Sequence, residues 1–435
     1  MNSEDKNYVL VTEYFHPDTA STGQLMTDLA VGLKERGLNV TVYTGQPNYH
    51  SGKNKKQPRI STHKNVLVKR ICAPQFRQSS LSRRLFNWFI FTGWMFAALL
   101  VSQADEEREL IVLSNPPMLP PAMWLVCKLR GWDYTYIVHD LYPDQPIELG
   151  YIKQGRIIEK VWTWFNARSF QDAKHIVALG PVMRNRITEN TGSNFDPEKI
   201  TIIHNWEDEN FIEPMPKEKN WFSKEHDLVE PFTILYSGNI GEFHDLETVV
   251  EAASTFEGEN VRFLIIGEGD NKENIVSLAE DLRIRGDTVR FLSYQPWDDL
   301  PYSLTSADVS VITVNEGFEG VCVSSKLYSA MAAGMPVLGI TQPYDDEARL
   351  IDAFDAGIHV PQEDVEGVVD AVRTWKENPK LVENQGTNAR QAFEQRFTKD
   401  QSIDRYYKLL TEDDVPGQAM QAPQKPCRDE LRGDL

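Results

Sequence analysis

Apolar runs of strand length recur along the first two hundred positions, each separated from the next by polar loops and by stretches with helical spacing. Tyr8–Glu13, Val40–Thr44, Leu110–Ser114, Tyr134–Val138, His175–Leu179 and Ile200–Ile203 read as buried strands. A helix starting near Thr22 places Leu25, Met26, Leu29 and Leu33 on one face and meets Gly37 as its stop. Strands alternating with helices build a parallel sheet covered on both faces. Between Asn205 and Pro231 the periodicity gives way to charge and proline, which predicts a linker. The pattern then restarts, with Thr233–Tyr236, Arg262–Ile266, Thr288–Leu292, Val309–Val314 and Pro336–Ile340 as strands. The fold class is α/β, with two doubly wound domains. Folds of this kind bind ligands beyond the carboxyl ends of their strands, so two facing domains predict a binding cleft.

The expected domains are 1–205, a linker over 206–231, a second domain over 232–390 and a helix over 391–410 that packs back on the first domain. Residues 411–435 carry proline and charge without periodicity and read as a disordered tail. One apolar segment, Leu85–Val101, follows Arg83 and Arg84 and is shorter than the ~20 residues that span a bilayer. A helix apolar all round is buried or touches lipid. Monotopic membrane contact, a core helix and a true span are the three placements open to it.

Charge narrows the function classes. Among 435 residues the formal net charge is −19, which argues against a general nucleic-acid binder. Cys72, Cys127, Cys322 and Cys427 show no metal-ligand spacing and read as free thiols in a reducing compartment. The start, MNSEDKNYVL, has no secretory pattern, so a cytoplasmic location is expected.

The stretch TILYSGNIGEFHDLETVVEAA runs from a strand through glycines into a helix with Leu246, Val249, Val250 and Ala253 on one face. Such a turn brings backbone N–H groups to a helix start, where an anion can sit, although a turn that only needs a positive φ has the same look. In VCVSSKLYSAMAAGMPVLGI, Ser324 or Ser325 is a fitting N-cap and Lys326 falls in the first turn. The helix dipole disfavours a cation there, so an anion held by Lys326, the serine hydroxyls and free N–H groups would rationalise it; a lysine reaching to solvent is the plainer alternative. Two such helix starts would suit a diphosphate. No G-x-x-x-x-G-K-[ST] is present, and Gly267-Glu268-Gly269 lacks the third glycine of a dinucleotide fingerprint.

Several longer stretches occur in a characteristic order: HIVALGPVMRNRITENTG, DPEKITIIHNWED, FLIIGEGDNKENI, VRFLSYQPWDDLPYSLTSADVSVIT and YSAMAAGMPVLG. In that order the chain resembles a retaining glycosyltransferase of family 4 with the two-Rossmann GT-B architecture, over roughly residues 8 to 410. LSNPPMLPP, HDLYPDQPIELG and SSKLYSAMAAG resemble the branch that builds capsule, O-antigen and exopolysaccharide repeats. The resemblance implies an enzyme of the 2.4 class, hexosyl or N-acetylhexosaminyl in type. Its donor is a nucleotide-diphosphate sugar, its acceptor a saccharide or a sugar on polyprenyl diphosphate, and no cofactor or metal is expected. It implies peripheral contact with the inner face of the cell membrane, and no nucleic-acid partner.

Carried over residue by residue, His139 and Asp140 match the family's His-Asp near the donor sugar, and Gly23 matches the glycine loop near the donor phosphates. Gly238, Gly267, Ser324, Ser325 and Lys326 fall where the donor is held. Departures are plain. Asn239 and His244 stand where the family commonly has Arg and Lys, and His204 stands for a proline. The pair of glutamates with seven residues between them is replaced by Val321 and Ser329, with Glu316 and Glu319 nearby as substitutes. Those departures leave open a degenerate binding or scaffold protein; a sugar-nucleotide epimerase would need paired carboxylates that the chain does not clearly supply.

Overall fold

The computed structural model describes residues 6–18, 20–47, 56–71, 81–103 and 107–412. It divides into two compact units. Unit 1 holds the chain to Trp206, Gly320–Val323 and the segment from Lys399; unit 2 holds Glu207–Glu319 and Ser324–Thr398.

Unit 1 is built on β1 (Asn7–Val11), β2 (Asn39–Thr44), β3 (Ile60–His63), β4 (Val66–Arg70), β5 (Arg108–Leu113), β6 (Asp133–Ile137), β7 (His175–Ala178) and β8 (Ile200–Ile202). They form one sheet in the order β3-β4-β2-β1-β5-β6-β7-β8. Only β3 runs antiparallel, pairing β4 from Ile60↔Lys69 to His63↔Val66. The β3–β4 hairpin escapes a reading of apolar runs because β3 is an edge strand with exposed and half-exposed positions. The expected helix is Ser21–Glu35, and Leu25, Met26, Leu29 and Leu33 are buried on it as the spacing requires.

Unit 2 carries β9 (Phe232–Ser237), β10 (Val261–Ile266), β11 (Val289–Leu292), β12 (Val309–Thr313), β13 (Val337–Ile340) and β14 (Gly357–Val360). All are parallel, in the order β11-β10-β9-β12-β13-β14. The strand β14 went unpredicted because GIHV is short and only half-buried.

Two expectations about connections need correction. The stretch 206–231 is not a free linker. Ile212, Phe222 and Leu228 are fully buried in the core of unit 2 with Leu235, Leu264 and Ile312, and a short helix, Trp221–Glu225, is capped by the Asn220 side chain. Its polar residues hide three apolar anchors too widely spaced to read as an element. The helix expected over 391–410 is two helices, Pro379–Arg396 and Lys399–Thr411. The second packs on the Ser21–Glu35 helix, with Ile403, Tyr406, Leu409 and Leu410 in the core of unit 1. Thr411 belongs to this helix rather than to the expected tail; residues 413–435 lie outside the described residues, as do Cys72 and Cys427.

The segment Leu85–Val101 forms most of a helix, Leu81–Leu100. Asn87, Phe91, Met95 and Leu99 are buried at four-residue spacing, while Leu85, Phe89 and Val101 face outward. Among the described residues no helix is long and apolar enough to cross a membrane. One face of this helix packs, and the other is exposed.

Candidate functional site

In both sheets strand order reverses beside the first strand, at β1/β5 and at β9/β12, and the segments leaving the carboxyl ends there are the usual ligand-binding positions. The sequence candidates follow these strands.

In unit 2, Gly238 leaves β9, Gly267 leaves β10, and Asn315–Ser325 follows β12. The first two turns stack backbone on backbone. Gly238 N–H donates to Ile266 O at 2.9 Å, and Ile240 N–H donates to Glu268 O at 2.9 Å. A Cβ on Gly267, at φ +156°, would lie 1.8 Å from Gly238 O, so glycine is required. Gly238, at φ +148°, is matched to a side chain: an added Cβ would come within 2.3 Å of Lys326 Cε. Lys326 therefore lies across the bare glycine. Its ammonium is 2.8 Å from His244 Nε2 and 5.2 Å from the Tyr236 ring centre. The Tyr236 hydroxyl donates to Asn239 O at 2.5 Å and braces the turn.

This arrangement decides the state of His244. Burial, reinforced by the Lys326 charge, holds its imidazole well below the usual histidine range. The expected partial positive charge is thus absent: His244 is neutral, Nε2 accepts from the ammonium, and the proton sits on Nδ1, which is buried without a partner among the described residues. Lys326 is the cation at this point of the site.

The helix-start expectation is corrected at both places. The helix after the first turn begins at Leu246, and the Asp245 carboxylate caps it, accepting from Thr248 N–H at 3.1 Å. A protein carboxylate holds the position proposed for an anion. The helix carrying Lys326 spans Lys326–Ala332; Ser325 is its N-cap residue but makes no side-chain cap bond. Ser324 N–H donates to Glu347 Oε1 at 2.6 Å, while Ser324 Oγ is buried without a partner among the described residues. Glu347 is fully buried, and burial together with Asp345 raises its pKa well above the ordinary carboxylate value.

The glutamate substitutes also separate in role. Glu319 is buried, and both its oxygens accept from Gly317 N–H. Glu316 is exposed on an acidic groove it lines with Glu242, Glu247 and Glu363. Ser329 has a partner that sequence reading missed: its hydroxyl donates to Glu207 Oε2 at 2.7 Å. Ser329 lies one helical turn after Lys326, so a carboxylate reaches that helix from a residue 122 positions away. Only tertiary contact reveals it.

In unit 1, Ser114 at the end of β5 organises the loop after β6. Its Oγ accepts from the N–H groups of His139 and Asp140, each at 3.0 Å. Burial lowers the His139 pKa to about 4, and Nε2 has no partner among the described residues. Asp140 is half-buried by surface yet closely surrounded, and burial raises it to about 6. The segment Gly320–Val323 lies with this loop: Leu141 N–H donates to Val321 O at 2.8 Å, and Asp140 pairs with Cys322 as an antiparallel bridge. Gly23 is buried in the first turn of the Ser21–Glu35 helix, where a Cβ would come within 3.2 Å of Tyr14. Glu13, just past β1, was not singled out. It is 4% exposed, and burial, reinforced by Asp18, pushes its carboxyl up to about 8. The signal was a lone acid ending an apolar strand.

Each unit matches a described family. Residues 22–206 match "Glycosyl transferase 4-like domain" and residues 217–392 match "Glycosyl transferases group 1". A putative colanic acid biosynthesis glycosyl transferase of Escherichia coli K12, WcaI, is 24% identical over 396 residues, 89% of this chain and 95% of that protein. Sucrose-phosphate synthase of Thermosynechococcus elongatus superposes with a TM-score of 0.74 at 14% identity, covering 93% of this chain and 98% of its own. The Anabaena HepE structure in complex with UDP and glucose gives 0.69 at 12% identity, with 93% and 99% covered.

Proposed function

We propose, from the premise that the chain is a GT-B glycosyltransferase, that it is a retaining enzyme of family 4 acting in cell-surface polysaccharide synthesis. It moves a hexosyl or N-acetylhexosaminyl group from a nucleotide-diphosphate sugar to a saccharide or polyprenyl-diphosphate-linked acceptor. A UDP-sugar is the first donor to try, because HepE holds UDP and glucose.

The observation that carries this reading is the lysine laid across bare glycine. Lys326 Nζ is held at 2.8 Å from a neutral His244 beside the Gly238 and Gly267 turns. A diphosphate approaching that turn meets the Lys326 ammonium lying over Gly238, with Lys272 Nζ 2.8 Å from Gly267 O as a second cation nearby. When the bond from the sugar's anomeric carbon to the diphosphate breaks, negative charge grows on the leaving oxygen. The ammonium stabilises it without a metal. A diphosphate oxygen then takes the acceptor hydroxyl's proton while the acceptor oxygen bonds the same face of the sugar, which gives retention. His139 and Asp140 are assigned to the transferred sugar's hydroxyls, the neutral imidazole and the carboxylate offering complementary hydrogen bonds. Glu207, held by Ser329, supplies a carboxylate for nucleoside hydroxyls where the helix itself has none. Leu85–Val101 is assigned to membrane contact that brings the enzyme to a lipid-linked acceptor.

Lys326→Ala is expected to lower kcat by on the order of 10²-fold or more, the scale of one lost oxyanion donor. Initial rates with a UDP-sugar, or with whichever donor binds, measure it, and a chelator should leave the wild-type rate unchanged. Wild-type turnover in the variant would remove the diphosphate assignment.

A further inference from the structure

Three consecutive acids stand at the start of the helix Asp346–Phe354, which follows β13, and none of them faces solvent: Asp345 and Glu347 are 0% exposed and Asp346 2%. As sequence, DDEARLI has the look of a solvated helix start, where acids complement the helix dipole. Asp345 fills the capping role, its carboxylate accepting from Asp346 N–H at 2.8 Å. Glu347 turns elsewhere. One oxygen accepts from Ser324 N–H at 2.6 Å, and the other is buried without a partner among the described residues. The charges acting on it are those of Asp345 and Asp346, not of a base. Burying a carboxyl without a cation is costly, and what Glu347 gains for it is that one bond.

The bond lands where placement matters. The chain re-enters unit 2 at Ser324, and two residues later Lys326 begins the helix Lys326–Ala332. Ser325, the N-cap residue, makes no side-chain cap bond, so this helix start is fixed from outside. Ser324 is held on both sides, its N–H by Glu347 and its carbonyl by Leu327 N–H at 3.3 Å. From there Lys326 reaches over Gly238 and brings its ammonium to 2.8 Å from His244 Nε2. A shift of about 1 Å in that backbone would break the contact. We infer that Glu347 is a positioning residue for Lys326: by holding Ser324 N–H, its buried carboxyl fixes the helix start from which the ammonium reaches over bare glycine. The consequence for transfer rests on the reading of Lys326 as the diphosphate's cation, whereas the positioning itself is measurable in the full chain without ligand.

Two variants of similar bulk separate the bond from the packing. Glu347→Gln keeps an acceptor oxygen, and Glu347→Met has none. Heteronuclear NMR of the imidazole nitrogens reports whether the ammonium still donates to His244 Nε2; Lys326→Ala gives the signal without it, and His244→Asn identifies the ring. The Met variant is expected to move the Nε2 resonance toward its place in Lys326→Ala, and the Gln variant to leave it at its wild-type place. A general loosening of the fold would shift many of the nine histidines; a positioning role shifts this one. Titration with UDP then reads the consequence, with Kd rising on the order of tenfold in the Met variant and staying near wild type in the Gln variant. A His244 signal unmoved in the Met variant overturns the proposal, as does one that moves equally in both. If the signal moves but neither Glu347→Met nor Lys326→Ala weakens UDP, Glu347 still positions Lys326 and it is the diphosphate reading that fails.

Discussion

At the residue scale, buried ionisable groups at the carboxyl ends of the unit 1 sheet set how stability responds to pH. Glu13 titrates near 8 when folded and near 4.5 when unfolded. The folded form keeps a proton that the unfolded form has shed. That contribution is complete below pH 4.5, shrinks as pH rises, and is gone above 8. It amounts to on the order of 4–5 kcal/mol across the window. Glu13→Gln has no proton to lose, so its melting temperature should fall less between pH 5 and 8 than that of the wild type. Parallel curves for the two proteins would show that Glu13 is ionised in the folded state. His139 has the opposite sign: with its pKa lowered from 6.5 to about 4, its contribution is complete above 6.5 and fades as pH falls toward 4. The identity of Lys326 was legible in SSKLYSA, and so was the need for glycine at 238. The neutrality of His244 was not, because it follows from burial and from a lysine 82 positions away.

At the element scale, alternating apolar runs were enough to place eleven of the strands to within a residue or two, because a buried parallel strand is apolar on both faces. β3, β4 and β14 escaped because each has positions open to solvent. Helix starts were harder to read. Asp245 escapes the reading of the apolar face, yet it fills the site expected for a bound anion and also accepts from Thr248 Oγ1 at 2.7 Å and Glu363 N–H at 3.1 Å. Asp245→Ala should therefore cost about 1–2 kcal/mol, and Asp245→Asn much less, since an amide oxygen still caps. Thermal unfolding compares the two; equal losses would mean that the carboxylate's charge, not its capping geometry, holds the turn.

At the scale of the whole molecule, the chain runs through unit 1, folds unit 2, and returns to unit 1 with Lys399–Thr411. Tyr8 Oη donates to Leu410 O at 2.8 Å, so the first strand and the last helix close unit 1 together. Ligand binding to this assembly stabilises only the folded form. The true donor should stabilise the fold by an amount that grows with its concentration, about 2.7 kcal/mol at one hundred times Kd, and raise the melting temperature accordingly. UDP-, GDP- and TDP-sugars tested in parallel identify it, and Lys326→Ala should blunt the shift. No shift with any of them at millimolar concentration would sink the donor reading.

The sequence by itself determined two α/β sheets, the glycines at their carboxyl ends and a lysine at the start of a helix, since each follows from periodicity or backbone need within a few residues. Tertiary structure alone decided that Lys326 rests on Gly238 against a neutral imidazole, that Ser329 holds Glu207, and that 206–231 is folded core. Those outcomes depend on burial and on partners far apart in the chain, and local pattern carries no information about either.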